Sequence, residues 1–158
     1  MKLSDIVQNS TIEIPKEDYI LIEYELFFDE CLGGYNKFSI DDKKDIMVLE
    51  KVLEEFMIQD NEAELYVCAY SYETVDYLGK KSMYADMLWI NTKKNIKEIE
   101  RVFEECKTFQ PSDISVLKNL DEYNQEEIYL YKKNGDIIKF DILNELQGND
   151  NIKVIYWD

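Results

Sequence analysis

The chain has no histidine and a single arginine, Arg101; its other 17 basic residues are lysines. The missing imidazole excludes Ser-His-Asp and Cys-His catalysis, histidine-ligated metals and a histidine pH switch. Prolines number two, Pro15 and Pro111, and glycines five. That is few for a phosphate-cradling loop, and no GxSxG, GxGxxG or GxxxxGK[ST] pattern occurs. Gly33-Gly34 reads as a turn, where glycine's tolerance of positive φ is useful. The three cysteines, Cys31, Cys68 and Cys106, are odd in number and widely spaced. They predict reduced thiols, in or near the core of an intracellular protein. Long apolar runs are also missing. Ile20-Leu21-Ile22 is far too short to span a bilayer, and Met1 to Asp5 leads into no apolar segment of the kind a signal peptide needs. A cytoplasmic location is the expectation.

Basic charge is scarce as a whole. Thirty-four acids face 18 bases, a formal net charge of -16. A nucleic-acid binder needs a basic footprint to displace counterions from phosphate, so direct binding to DNA or RNA is not expected. Anionic membranes would repel the chain for the same reason. A basic protein would be attracted and steered. The plainest reading of acidity is solubility alone, but the charge is unevenly placed. Residues 1–77 carry 19 acids and 6 lysines, whereas residues 78–158 carry 15 acids and 12 bases.

Core formers are abundant: 46% of residues are hydrophobic, and 12 Tyr and 7 Phe are present. A chain of 158 residues fits one domain, 1–158, that buries roughly 68–70% of its unfolded surface. Tyr19 to Phe28 reads as a strand, although a helix ending at Gly33-Gly34 fits the same run. Ile46, Leu49, Val52, Leu53 and Phe56 recur at helical spacing and predict a helix from about Asp41 to Gln59. Leu65 to Tyr72 alternates with both faces coverable, as in a central strand, and Met83 to Ile90 is a second strong strand. Ile96, Ile99, Val102, Phe103 and Cys106 give a second amphipathic helix. Ser112 and Asp113 after Pro111 predict the cap of a short helix through Leu117. Ile128–Lys132 and Ile137–Asp141 around Asn134-Gly135 predict a hairpin with a type I′ turn. A short helix or loop through Leu143 and Leu146 precedes a last strand, Ile152 to Trp157. Adjacent strands without helices between them imply an α+β fold: one mostly antiparallel or mixed sheet, flanked by two main helices, with a C-terminal β-hairpin.

Carboxylates could serve metals, but the patterns fail locally. Asp60-Asn61-Glu62-Ala63-Glu64 alternates oxygens like a calcium loop, yet Leu65 and Ser71 stand where that loop needs glycine and a bidentate Glu. Glu105-Cys106-Lys107 with Asp86 resembles a nuclease acid pair, but Glu105 falls at a helix end. No catalytic residue, metal ligand or cofactor is assigned. The candidates are instead for binding a partner. Asp41, Asp42, Asp45, Glu50, Glu54 and Glu55 lie on or beside the first predicted helix, and Asp60 and Glu62 follow it. Tyr70 and Tyr72 supply aromatic area with a polar tip. Asp86 shares a predicted strand face with Tyr84, Leu88 and Ile90, where a carboxylate must find hydrogen bonds or a cation.

The segment Tyr84-Ala85-Asp86-Met87-Leu88-Trp89-Ile90-Asn91-Thr92, the helix around Ile96–Phe103 and Pro111-Ser112-Asp113-Ile114 resemble the small immunity proteins of bacterial toxin systems, such as contact-dependent inhibition. The resemblance covers about a fifth of the chain and assigns no functional residue. It implies a cytoplasmic, non-enzymatic protein that binds and neutralises a cognate toxin, often a basic nuclease. Two other readings suit an acidic chain: a phage-encoded inhibitor of a nucleic-acid-binding defence protein, with carboxylates mimicking phosphates, and an enzyme using carboxylates with a divalent metal.

Overall fold

The computed structural model describes residues 2–15, 17–31, 36–75, 81–118, 123–146 and 148–158, and only the backbone of residues 71–75 and 81. Gly33-Gly34 lies outside these residues. Helix α1 (Leu3–Asn9) precedes strand β1 (Tyr19–Glu23), which runs directly into α2 (Tyr24–Cys31). Next come β2 (Asn36–Phe38), α3 (Lys43–Gln59), β3 (Glu64–Val75) and β4 (Lys81–Asn91). Helix α4 (Ile96–Val102) tightens into a 3-10 turn (Phe103–Glu105). The chain ends with β5 (Asp113–Val116), β6 (Glu127–Tyr131), β7 (Ile137–Asp141), a π-helical turn (Ile142–Leu146) and β8 (Ile152–Tyr156).

All eight strands join one sheet in the order β5-β8-β4-β3-β1-β6-β7, with β2 also beside β4. The β1–β6 and β2–β4 pairs are parallel and the rest antiparallel. The class is therefore α+β with a mixed, mostly antiparallel sheet and a hairpin, β6–β7, near the C-terminus, as the sequence predicts. One edge of β4 serves two neighbours, β2 along Met83–Ala85 and β8 along Met87–Asn91.

Strand β3 is central, and Val67, Cys68 and Ala69 are all fully buried. Because side chains alternate across a strand, the two faces build separate clusters. Ile20, Ile22, Val67, Leu88 and Ile90 meet Leu3 of α1, Phe27 and Phe28 of α2, Leu49, Leu53 and Phe56 of α3, and Ile99 of α4. On the second face, Leu21, Cys68, Trp89, Ile128, Leu130 and Ile152 meet Ile142 and Leu146 of the π-helical turn. Leu117 and Tyr123 pack against them from the side.

Helix α3 forms where its apolar stripe predicts. Asp42 caps it, its carboxylate accepting from the Lys44 N–H at 2.7 Å and the Asp45 N–H at 3.4 Å, which satisfies orphan donors of the first turn. A reciprocal capping box of Asn95 and Glu98 starts α4.

Four expectations need correction. The strand from Tyr19 stops at Glu23. Tyr24, Phe27, Phe28 and Cys31 sit at helical spacing, and a helix buries both phenylalanines completely on one side, where a strand would point them apart. Residues 113–116 are a strand rather than a helix. Half-buried Ile114 and Val116 alternate with exposed Asp113 and Ser115, and the strand pairs with β8 while the Ser112 N–H donates to the Tyr156 carbonyl at 2.7 Å. The hairpin turn is not type I′, because Gly135 (φ +94°) takes a positive φ and Asn134 does not. The Gly135 N–H closes a turn onto the Lys132 carbonyl at 2.9 Å, and Lys132 N–H then pairs with Asp136, the arrangement of a turn followed by a glycine bulge. Finally, Asp86 does not share a face with Leu88 and Ile90. Cys68 pairs with Met87 and Ala69 with Ala85, so Asp86 is the extra residue of a β-bulge that shifts the alternation.

Candidate functional site

The predicted acids of α3 fall on different sides of the helix. Glu50 and Glu54 lie beside α2, where burial, then Asp29, then Glu54 push the Glu50 carboxyl above its ordinary value. The same carboxylates, after burial and Glu25, raise the phenol of Tyr24. Glu55 is on the other flank, lining a groove of about 320 Å³ with Lys94, Glu98 and Arg101, so its surroundings mix both signs. Among the described residues the ion pairs are Lys133–Glu25 and Lys139–Glu127. Neither involves an α3 acid. The outer ridge of the helix carries exposed Met47 (59%), Lys51, Glu54 and Ile58 (80%), with exposed Val48 at its side.

Other predicted residues serve the fold. Asp42 is the α3 cap. Asp45 is half-buried and accepts a hydrogen bond from the Thr108 hydroxyl at 3.2 Å. Asp60 accepts from the buried Thr92 hydroxyl at 2.6 Å while its own N–H closes α3 onto the Phe56 carbonyl at 2.9 Å. It thereby ties the end of the helix to the end of β4. Asp41 is exposed just before the helix, and Glu62 is exposed after it.

Tyr70 and Asp86 are on the second face of the sheet, away from α3. The rings of Tyr70 and Tyr19 approach to 4.3 Å and their hydroxyls are hydrogen-bonded. Tyr19 meets Tyr123 at 4.8 Å, and Tyr123 meets Trp89 at 5.5 Å. Asp86 stands by Cys68, whose thiol is pushed well up by burial first and by the Asp86 charge second. Its backbone carbonyl accepts from the Trp157 N–H at 2.8 Å. The side chain of Tyr72 lies outside the described residues. The ten whose side chains are described thus form no single surface: Glu50 and Glu54 come together, and Tyr70 and Asp86 do not join them.

Three features were not anticipated. Asp29 joins Glu50 and Glu54 in one acidic cluster between α2 and α3, a grouping that follows only from residues 24–31 forming a helix. Met47, Val48 and Ile58 were legible in principle, since they fall off the Ile46-Leu49-Val52-Leu53-Phe56 stripe on a helical projection. The third is a cleft of about 460 Å³ on the second face, bounded by Leu21, Tyr66, Trp89, Phe140, Leu146 and Ile152 with Glu64, Asn91 and Lys139. Its residues come from separate strands and the π-helical turn, so no local pattern announces it.

All three cysteines are free, and burial raises each thiol, that of Cys106 to about 11. Thiols held protonated in this way are poor nucleophiles at neutral pH. Among the described residues no group of three or more Cys, Asp or Glu is arranged to hold a metal ion, and no helix is long and apolar enough to cross a membrane. The chain matches no model of a known protein family, no curated protein and no solved structure.

Proposed function

We propose that this chain is a cytoplasmic immunity-type protein that acts by binding, not by catalysis, and that it docks a basic toxin domain on the α2–α3 side. One observation carries the reading. Of the five exposed large apolar side chains among the described residues, three lie on α3: Met47 and Ile58 border Glu54, with Glu50 next to it, and Val48 is on the Glu55 flank; none of these carboxylates has an ion pair among the described residues. Exposed apolar area bordered by charge is a frequent mark of protein-interaction surfaces. Here apolar contact would supply affinity, and the surrounding acids would steer a cationic partner and select against acidic ones. A basic partner would also relieve the crowding of Asp29, Glu50 and Glu54.

The test is calorimetric titration of the purified chain with the toxin domain encoded beside its gene, at low and high salt. We expect a tight complex that weakens as salt rises. Reversing both charges, Glu50→Lys with Glu54→Lys, should weaken it at least about tenfold. Reversing Asp136 and Glu145 together should change it much less. No complex, or equal loss from both pairs, would remove the α2–α3 surface as the docking site.

A further inference from the structure

The cleft on the second face is unrelated to the α3 ridge, and its chemistry is specific. Its buried floor is Leu21, Trp89 and Ile152, each at most 5% exposed, with Leu146 as a nearly buried wall. Its solvent side is set by Glu64, which is exposed but fixed. One carboxylate oxygen accepts from the Tyr66 hydroxyl, and the other accepts from the Asn91 amide at 3.3 Å. Both donors are neutral and bring no positive charge to the carboxylate, which stands at the edge of an apolar, aromatic-walled space. Lys139 also borders the cleft, but its ammonium is paired with Glu127 at 3.4 Å. Glu145, a second acid of the lining, is turned to the Asp141 N–H at 3.1 Å. An oriented carboxylate with no ion pair among the described residues, beside about 460 Å³ of space over an indole, selects for charge and shape together. The volume lies within the range of small-molecule sites, roughly 300–1,000 Å³.

We propose that this cleft binds a small amphipathic cation, an apolar body carrying an ammonium group. The body rests on Trp89, Leu21 and Ile152, and the ammonium reaches Glu64, with the aromatic walls adding cation–π attraction. A carboxylate of the same shape is excluded, because it would set a second negative charge against Glu64 and Glu145. None of the lining residues belongs to α3, so the α3 reading and this one stand or fall separately.

Trp89 and Trp157 provide the readout. The Trp157 indole N–H donates to the Phe109 carbonyl at 2.8 Å, whereas the buried Trp89 indole N–H has no partner among the described residues. Their two N–H signals can be followed separately by NMR while phenethylammonium, phenethyl alcohol, phenylacetate or methylammonium is added to the full chain. We expect phenethylammonium to shift the Trp89 signal saturably and leave Trp157 in place. Phenylacetate should bind at least about tenfold more weakly, and methylammonium should leave Trp89 unmoved. Glu64→Gln should reduce the preference for phenethylammonium over phenethyl alcohol at least about fivefold. The proposal is overturned if phenethylammonium gives no saturable shift or if phenylacetate binds equally well. It is overturned too if methylammonium reproduces the effect, which would mean diffuse attraction to an acidic protein. An unchanged preference in Glu64→Gln would also sink it. The ligand comparison on the unaltered chain decides the matter even if that variant loses its fold.

Discussion

One face of the sheet is covered by helices and the other, among the described residues, by a short turn with Leu117 and Tyr123 beside it, and the two coverings leave different kinds of surface. Helices α1 to α4 seal the first face with Phe27, Phe28, Leu49, Leu53 and Phe56. The hollows left on that side lie between α3 and α4 and at the β2 and β5 margins of the sheet, and what α3 offers outward is a ridge of Met47, Glu54 and Ile58. On the second face Ile142 and Leu146 cover only part of Trp89, Leu21 and Ile152, and the remainder is a cleft. A thick cover moves recognition to its outside. A thin one leaves it at the strands. The chain's two binding proposals follow from that difference, one for a macromolecule and one for a small cation.

The largest expected effect tests whether the coverings differ in energy as well as thickness. Leu53 is fully buried beneath the helices, whereas Leu146, in the π-helical turn, retains 9% exposure. Leu53→Ala should cost about 4 kcal/mol and Leu146→Ala about 2 kcal/mol, toward opposite ends of the range for buried leucines, because a site at the margin collapses more easily. Urea unfolding followed by circular dichroism measures both. Equal losses would mean that the turn is as integral to the core as the helices are, and would break the contrast.

That contrast was half legible in the sequence. The stripe from Ile46 to Phe56 and the alternation of Leu65 to Tyr72 are strong periodic signals, and α3 and β3 lie where they predict. The segment Tyr24–Cys31 carries helical spacing too, but its aromatic residues also suit a strand, and only burial against α1 and α3 decides between them. Local chemistry misled at Ser112-Asp113, a good helix cap, because pairing with β8 outweighs a cap worth about 1 kcal/mol. The bulge at Asp86 shows why faces are harder to read than strands. One extra residue exchanges the sides of everything beyond it, and no residue type marks the place. The cleft was invisible for a simpler reason: Leu21, Glu64, Trp89 and Leu146 are far apart in sequence and become neighbours through strand order.

Within the helix-covered side, acids can be divided into those the fold uses and those it does not. Asp41 and Asp42 are adjacent, yet Asp42 holds two N–H groups of α3 and Asp41 is exposed ahead of the helix. Asp42→Ala should lower stability by about 1 kcal/mol through the lost cap, and Asp41→Ala should stay within about 0.5 kcal/mol of the parent chain. Thermal and urea unfolding of the two variants separate the cases. Similar losses would mean that the two acids act through the helix dipole alone rather than through the cap.

The smallest effect is the most discriminating, because it sets one acid from each side against the other. Glu50 is crowded by burial and by Asp29 and Glu54, so its pKa is raised above the ordinary 4.5. A raised carboxyl pKa means that the native chain holds the proton more tightly than the unfolded chain does. Stability then falls as pH rises from 4.5 through the native pKa, and the full penalty is present at neutral pH. Glu50→Gln should therefore stabilise the neutral protein by a few tenths of a kcal/mol, and by less than about 1 kcal/mol because the group is only partly buried and solvent still screens it. The gain should fade as pH falls toward 4.5. Glu64 on the cleft side receives hydrogen bonds from Tyr66 and Asn91, so Glu64→Gln should give no gain at neutral pH. Urea midpoints measured across that pH range would compare them directly. If both variants gain alike, the crowding belongs to the net charge of the whole chain, and the α2–α3 acids lose their claim to mark a place where a cation is wanted.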